Sequence, residues 1–185
     1  MTTVFIAGSI SIMHLHDKVK MRIENVIASD FDVVVGDADG ADTSIQDYLL
    51  QKGAKHVTVY CSGDQARNNL ADWPVRNVYP DAARGSRAYF TAKDLEMARA
   101  SDYGLMIWDC KSTGTLSNII ELLKYDKKSV VFVNKHKDFF NVSDSPGLES
   151  LLTFMSDHAR IKAEEKISLS SRIASLRQKQ YALRV

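Results

Sequence analysis

The sequence predicts an α/β fold: a Rossmann-like, doubly wound, mainly parallel sheet of five strands with a C-terminal helical extension. Three observations indicate this fold. Short apolar runs rich in β-branched residues alternate with segments of helical period, small residues follow several of these runs, and the pattern changes near residue 136. We therefore expect a sheet domain at 1–136 and a helical extension at 137–185.

The first three strands are predicted from short apolar runs. Residues 4–9 form the first strand, and an amphipathic helix over 17–29 follows it. A second strand at 33–35 leads through a glycine-containing loop into a helix that Gly53 ends. The third strand covers 56–60. Together these units predict one half of a parallel sheet with its covering helices.

The middle of the chain is less regular. Residues 62–85 contain prolines that interrupt any long helix, although 75–79 could form a short strand. A helix over about 91–100 is predicted next, with Thr91 as N-cap and Asp94 completing a capping pattern. The irregular segment is of the kind that forms lids and specificity elements.

Two more strands follow, at 103–108 and 129–133, with a helix between them from Ser112 to about Tyr125. Right-handed crossovers place the carboxyl ends of all parallel strands on one edge of the sheet. The loops that follow the first, second and fourth strands should therefore converge at a topological switch point, where open sheets bind ligands.

The extension is predicted to contain a short helix at 148–155 and a long charged helix at 158–183. The apolar stripe of the long helix is narrow, so it could pack on the sheet or pair with a second copy. A solvated or dimerising face is favoured over contact with nucleic acid. Its basic residues are Arg160, Lys162, Lys166, Arg172, Arg177, Lys179 and Arg184.

Composition argues against several functional classes. The 24 basic and 23 acidic residues are balanced, so nucleic acid and anionic membranes are not expected as main partners. Neither a membrane span nor a signal peptide is apparent, and the two cysteines lack metal-ligand spacing, which favours a cytoplasmic protein. His14 and His16 have no second ligand set. No metal, cofactor or membrane partner is expected.

The segment from Val33 to Asp42 is the strongest candidate for ligand binding. A buried strand runs through Gly36 and Gly40 into a helix, and glycine lets a backbone approach an anion held by the first N–H groups of that helix. The spacing is neither a P-loop nor a dinucleotide motif. Two further junctions of this type follow Gly8-Ser9 and Asp109.

The chain contains three motifs of small residues, Gly8-Ser9, Gly36-x-x-x-Gly40-Ala41-Asp42, and Trp108-Asp109 followed by Ser112-Thr113-Gly114-Thr115. They resemble those of the SLOG superfamily, closest to its YspA-like (DUF2493-type) branch, and the resemblance covers about residues 3–134. Relatives include LOG phosphoribohydrolases, the DNA-processing protein DprA and nucleotide-sensing domains, and nucleoside 2-deoxyribosyltransferases have a similar architecture. The resemblance implies that domain 1–136 binds nucleotides and that the chain forms a homodimer or higher homo-oligomer.

The resemblance also implies which residues line the nucleotide site. Backbone N–H groups near Gly40 and Gly114, with nearby hydroxyls, would hold phosphate, and Asp37 or Asp109 would accept hydrogen bonds from ribose. Asp42 could contact the ligand or complement the helix dipole. The expected nucleotide-binding set is Gly8, Ser9, Gly36, Asp37, Gly40, Ala41, Asp42, Asp109, Ser112, Gly114, Thr115 and Asn118.

The sequence departs from the LOG hydrolases at one position. Those enzymes carry Gly-Thr-x-x-Glu, and the same register here holds Asn118, whose amide cannot act as a carboxylate nucleophile or base. Glu121 lies almost one helical turn further on and could reach the same region. The candidate catalytic residues are thus Asp37, Asp109, Glu121 and Tyr89, with Asp39 and Asp94 as further carboxylates.

Three functions follow from these observations. The first is nucleotide binding or sensing without turnover. The alternative is an N-glycosidase or deoxyribosyltransferase-like enzyme acting on a nucleotide. The third is single-stranded nucleic-acid binding through the C-terminal basic helix, with Trp73 or Tyr89 stacking on bases; the balanced charge makes it the least favoured.

Overall fold

The computed structural model describes residues 1–182 of the chain and contains one seven-stranded sheet. The strand order is β4-β3-β2-β1-β5-β6-β7, and β7 alone runs antiparallel, beside β6. The strands are β1 Thr3–Gly8, β2 Asp32–Gly36, β3 Val57–Ser62, β4 Val75–Val78, β5 Tyr103–Trp108, β6 Lys128–Val133 and β7 Asp138–Val142.

Helices cover both faces of the sheet. Alternate strand residues point to opposite faces, so Val33 and Val35 pack under α1 and α2, whereas Val34 belongs to the core beneath α3 to α7. No helix within residues 1–182 has the length and apolarity needed to cross a membrane. The helices are α1 Asp17–Ala28, α2 Ala41–Gln51, α3 Arg87–Ala100, α4 Thr113–Lys124, α5 Ser145–Leu152, α6 Asp157–Ile167 and α7 Leu169–Ala182.

The predicted α/β class and doubly wound order are confirmed, but the predicted number of five strands is wrong. The stretch left open at 75–79 forms β4, which pairs with β3 at one edge. β7 lies within the segment assigned to the helical extension, where Lys137, in the left-handed region at φ 55°, helps to turn the chain back along β6. Phe139 of β7 packs edge-on against Phe132, at 5.1 Å between ring centroids.

Helix α3 begins four residues earlier than predicted. Ser86 caps it by accepting a hydrogen bond from the backbone N–H of Tyr89 at 3.2 Å, so Thr91 is an interior residue and its hydroxyl donates to the carbonyl of Arg87. The earlier start matters because it places Arg87 at the first turn of α3, beside the carboxyl edge of the sheet.

The predicted long C-terminal helix is divided into α6 and α7. Ser168 adopts the left-handed conformation at φ 50° and ψ 53°, which ends α6. Buried Leu169 and Leu176 of α7 then pack into the core shared with α4 and α5, so this part of the apolar stripe is covered within the same chain, whereas Ile161 of α6 is exposed. The predicted end of the helix at Leu183, and Arg184, lie outside the described residues.

The sheet order reverses between β1 and β5. These strands are neighbours, yet β1 continues toward β2 on one side and β5 toward β6 on the other. The chain leaves β1 with the N–H of Ser9 bonded to the carbonyl of Ile107 at 2.9 Å, and the two connections then diverge. This reversal produces an opening at the carboxyl edge of the sheet, as expected for a topological switch point.

Candidate functional site

A cavity of about 440 Å³ opens at the reversal between β1 and β5. We call it the switch-point groove. The first turn of α4, the end of β1 and the amino-terminal half of α3 form its walls. Six residues predicted for the nucleotide site line it together: Gly8, Asp42, Ser112, Gly114, Thr115 and Asn118.

The hydroxyls of Ser9 and Thr115 lie below the groove surface and connect two of its loops. Their oxygens are 3.2 Å apart, Ser9 is fully buried, and Thr115 is 2% exposed. Ser9 Oγ also accepts a hydrogen bond from the N–H of Asp109 at 3.1 Å. Both hydroxyls therefore join the β1 loop to the start of α4, and their role as phosphate ligands stays a prediction.

Asp109 organises the turn that precedes α4. Its Oδ1 accepts hydrogen bonds from the N–H groups of Lys111 and Ser112, at 3.0 and 2.7 Å, and its Oδ2 accepts one from the Ser11 hydroxyl at 2.7 Å. Burial by itself would raise the pKa of Asp109, but these hydrogen bonds lower it below its ordinary value. Ser112 then caps α4 through its hydroxyl.

The β2–α2 loop packs against the β1 loop. A Cβ atom on Gly8 would lie 2.7 Å from the Cβ of Ala41, so glycine is needed for this close approach. Gly36 faces charged groups, because a Cβ there would lie 2.3 Å from Asp42 Oδ2 and 2.7 Å from Lys93 Nζ. Gly8 and Gly36 thus make room for other parts of the protein.

A buried charged cluster lies beside the groove and consists of Asp37, Asp42, Arg67, Lys93 and Asp94. The Lys93 ammonium is 2.7 Å from Asp94 Oδ1 and 3.9 Å from the nearest carboxylate oxygens of Asp42 and Asp37. Burial alone would lower the pKa of Lys93, but the neighbouring carboxylates raise it. Lys93 and Arg67 were not predicted as site residues, although the position of Lys93, one turn before Met97 on the buried face of α3, is a signal in the sequence.

Asp37 is held by Arg67. The Arg67 guanidinium donates to both carboxylate oxygens of Asp37, at 3.1 and 2.7 Å, and the Arg67 backbone N–H donates to Oδ2 at 3.0 Å. Burial favours a higher pKa for Asp37, but these bonds lower it. A carboxylate in this state is a weak base.

The other candidate catalytic groups are also engaged by the protein. The Tyr89 hydroxyl donates to the carbonyl of Ser62 at 3.1 Å. Glu121 accepts hydrogen bonds from Lys124 and Arg172, at 2.7 and 2.6 Å. None of the four candidate catalytic residues is among those that line the switch-point groove, whose carboxylates are Asp42 and Asp94.

Asp42 should make the stability of the protein depend on pH. Burial raises its pKa to about 6, against the opposing effect of Lys93. The folded state therefore binds a proton between about pH 6 and 4 that the unfolded state does not bind, and the free energy of unfolding rises as the pH falls through this range. Since each pKa unit corresponds to about 1.4 kcal/mol, the contribution is about 2 to 3 kcal/mol.

We expect Asp42→Asn to remove most of this increase, measured by urea unfolding at pH 4.5, 5.5 and 7. Asp47→Asn, on the exposed face of the same helix, is the control, and its free energy of unfolding should depend on pH as that of the wild type does. Asp37 and Asp109 have lowered pKa values, so their protonation occurs at lower pH and reduces the free energy of unfolding as the pH falls. An unchanged slope in Asp42→Asn would contradict the assignment.

A second cavity of about 330 Å³ continues the groove outward between α3 and α4. The two share Arg87, Thr91, Asp94, Gly114 and Asn118 in their walls. We call the second one the outer cavity. Beyond the shared residues it is lined by Ala88, Leu95, Ser117, Glu121, Ile167 and Arg172.

Histidines do not form a metal site in the described part of the chain. No group of three or more His, Cys, Asp or Glu residues within 1–182 has the geometry to hold a metal ion. His16 caps α1 by accepting a hydrogen bond from the N–H of Lys18, and its ring stacks on Phe132.

Comparison with family models and with curated proteins gives no match. Among solved structures, the chain is similar to DNA processing protein A (DprA) from Streptococcus pneumoniae, with a TM-score of 0.57, 18% identity, and coverage of 82% of this chain and 56% of that chain. It is also similar to DprA from Helicobacter pylori, described for its single-stranded DNA binding mode, with a TM-score of 0.55, 18% identity, and coverage of 84% and 74%. The chain thus spans little more than half of the first structure. The likeness establishes a DprA-like α/β fold, and membership of the SLOG superfamily and of its YspA-like branch stays a prediction.

Proposed function

We propose that this chain binds a nucleotide in the switch-point groove, with a phosphate at the first turn of α4. The observation that carries the proposal is the meeting of two helix starts at this cavity. Arg87 at the start of α3 reaches Thr113 at the start of α4, with 3.0 Å between Arg87 Nη2 and Thr113 Oγ1. Helix amino termini supply free N–H groups and a positive dipole end, and arginine adds a bidentate donor.

Binding without turnover is the function that we infer. Asp37 and Asp109 have lowered pKa values and several hydrogen-bond donors each, which makes them weak bases and nucleophiles. The hydroxyl of Tyr89 and the carboxylate of Glu121 also have protein partners. Each of the four candidate catalytic groups thus has protein partners, which favours binding over the N-glycosidase alternative.

The second candidate ligand is single-stranded DNA, one nucleotide of which would occupy the groove. The similarity to DprA of Helicobacter pylori favours this ligand. The route suggested by the sequence needs revision. Trp73 is 8% exposed and donates to the carbonyl of Ala54, so it cannot stack on a base without leaving the core. Arg177 and Lys179 pair with Glu149 and Asp126. Exposed Phe90, with the Arg67 guanidinium 4.9 Å from its ring centre, is a better stacking position.

Arg87→Ala is expected to weaken binding of nucleoside monophosphates about 10- to 100-fold, because hydrogen bonds to charged groups contribute about 1.5 to 3 kcal/mol. Isothermal titration calorimetry with GMP, AMP, CMP and UMP measures this. Arg99→Ala is the matched control, since Arg99 is an exposed arginine in the last turn of the same helix, away from the groove. Equal affinity in Arg87→Ala and wild type would contradict the phosphate position.

A second set of titrations distinguishes free nucleotide from DNA. Binding of a single-stranded oligonucleotide should weaken steeply with salt if a strand tracks over several basic residues, and nucleoside monophosphates should show a shallow dependence. An oligonucleotide that binds with unchanged affinity in Arg87→Ala would place DNA away from the groove. The absence of binding by either ligand would overturn the proposed function.

A further inference from the structure

The outer cavity has the dimensions and the polarity of a base pocket. From Gly114 to Glu121 the α4 helix advances about 10 Å, given a rise of about 1.5 Å per residue. That distance matches a nucleoside monophosphate extended along the helix, with its phosphate at Gly114 and its base beside Glu121. Leu95 and Ile167 supply apolar walls of the kind that cover the faces of a base.

The end of this cavity presents a fixed acceptor next to a fixed donor. Glu121 is 9% exposed, and its Oε1 accepts from Arg172 Nη2 at 2.6 Å. Arg172 is held further by a bond from its Nη1 to the Ser117 hydroxyl at 2.8 Å. Lys124 Nζ also donates to Glu121 Oε1, at 2.7 Å, so Oε2 is the carboxylate oxygen that keeps acceptor capacity for a ligand, and the guanidinium, with five N–H donors, keeps donor capacity. Because α7 supplies Arg172, the C-terminal segment completes the cavity.

This pair complements guanine better than the other bases. Guanine offers N1–H and the N2 amino group as adjacent donors, with the O6 acceptor beside them. Adenine has one donor on this edge, the N6 amino group, beside the N1 acceptor, so it can give the carboxylate one hydrogen bond where guanine gives two. We propose, on the basis of the proposed nucleotide-binding function, that the outer cavity selects guanine nucleotides, with Glu121 accepting from N1–H and the N2 amino group and Arg172 donating to O6.

The wild-type protein tests this through a series of base analogues. Calorimetric titration should give a dissociation constant for GMP at least 10-fold lower than for AMP, with IMP, which lacks the N2 amino group, about 3- to 10-fold weaker than GMP. Oligo(dT) carrying one central G or one central A tests the same preference within a strand. Equal affinity for GMP and AMP, or equal binding of ribose 5-phosphate and GMP, would overturn the base assignment while leaving the phosphate site intact.

Glu121→Gln provides the second test, because the amide replaces one acceptor oxygen with a donor. The ratio of AMP to GMP dissociation constants should fall to within about 2-fold, with ribose 5-phosphate binding unchanged. Glu165→Gln, at an exposed position on α6, should retain the wild-type ratio. A ratio that persists in Glu121→Gln would overturn the role of this carboxylate. No binding by any monophosphate in wild type would reject both this inference and the proposed function.

Discussion

Lys93→Met is expected to lower the free energy of unfolding by about 3 to 5 kcal/mol at pH 7, because removing one partner leaves buried charges without compensation. The Lys93 side chain is 4% exposed, and its ammonium lies within 3.9 Å of carboxylate oxygens from three different segments. Because the methionine side chain fills a similar volume, the loss of stability arises more from the missing charge than from altered packing. Urea unfolding followed by circular dichroism measures it.

Two measurements separate the electrostatic effect from a general loss of packing. The difference between Lys93→Met and wild type should shrink toward pH 5, because Asp42, with its pKa of about 6, becomes neutral there. Adding Asp42→Asn to Lys93→Met should recover part of the loss at pH 7. Lys162→Met, at an exposed position on α6, is the control and should change stability little. A loss that is independent of pH would show that the charges are not its cause.

The charged cluster also explains why part of the site could not be predicted from the sequence. A helical pattern predicts an apolar residue one turn before Met97, and the sequence places Lys93 there. Its partners come from distant segments, Asp42 from the start of α2 and Asp37 from the β2 loop, so their pairing depends on tertiary structure. Period and propensity describe local preference and carry no information on such pairs.

The convergence of the loops could be predicted because it depends on local signals. Buried strands alternating with helices imply a parallel sheet, and crossover handedness then places Gly8, Asp42 and Gly114 at one edge. The hydrogen bond between Ser9 and Thr115 was harder to predict from the sequence. Their hydroxyls suit phosphate as well as they suit each other, and their separation of 3.2 Å is a tertiary contact that a local sequence pattern does not encode. Strand β7 was missed because five residues with two adjacent phenylalanines carry no clear alternation.

Gly40→Ala is expected to destabilise the protein by about 3 to 5 kcal/mol through strain and overlap combined. Gly40 precedes α2 with φ 78° and ψ −120°, which only glycine adopts readily. A Cβ atom there would lie 2.0 Å from the carbonyl oxygen of Ile10, so the β1 loop would have to move. Because Ile10 lines the switch-point groove, nucleotide affinity should also fall.

Gly53→Ala is the matched control for Gly40→Ala. Gly53 also has a positive φ, 65°, but a Cβ atom on it meets no heavy atom within 4 Å. This substitution should cost about 1 kcal/mol, the strain of the left-handed region alone, and leave nucleotide affinity unchanged. The difference between the two variants in urea unfolding thus combines the overlap with Ile10 and the less accessible backbone region of Gly40, and the loss of nucleotide affinity in Gly40→Ala reports the loop contact. Equal losses would show that neither the overlap with Ile10 nor the backbone region of Gly40 adds to ordinary left-handed strain, and unchanged nucleotide affinity in Gly40→Ala would show that the loop contact does not shape the groove.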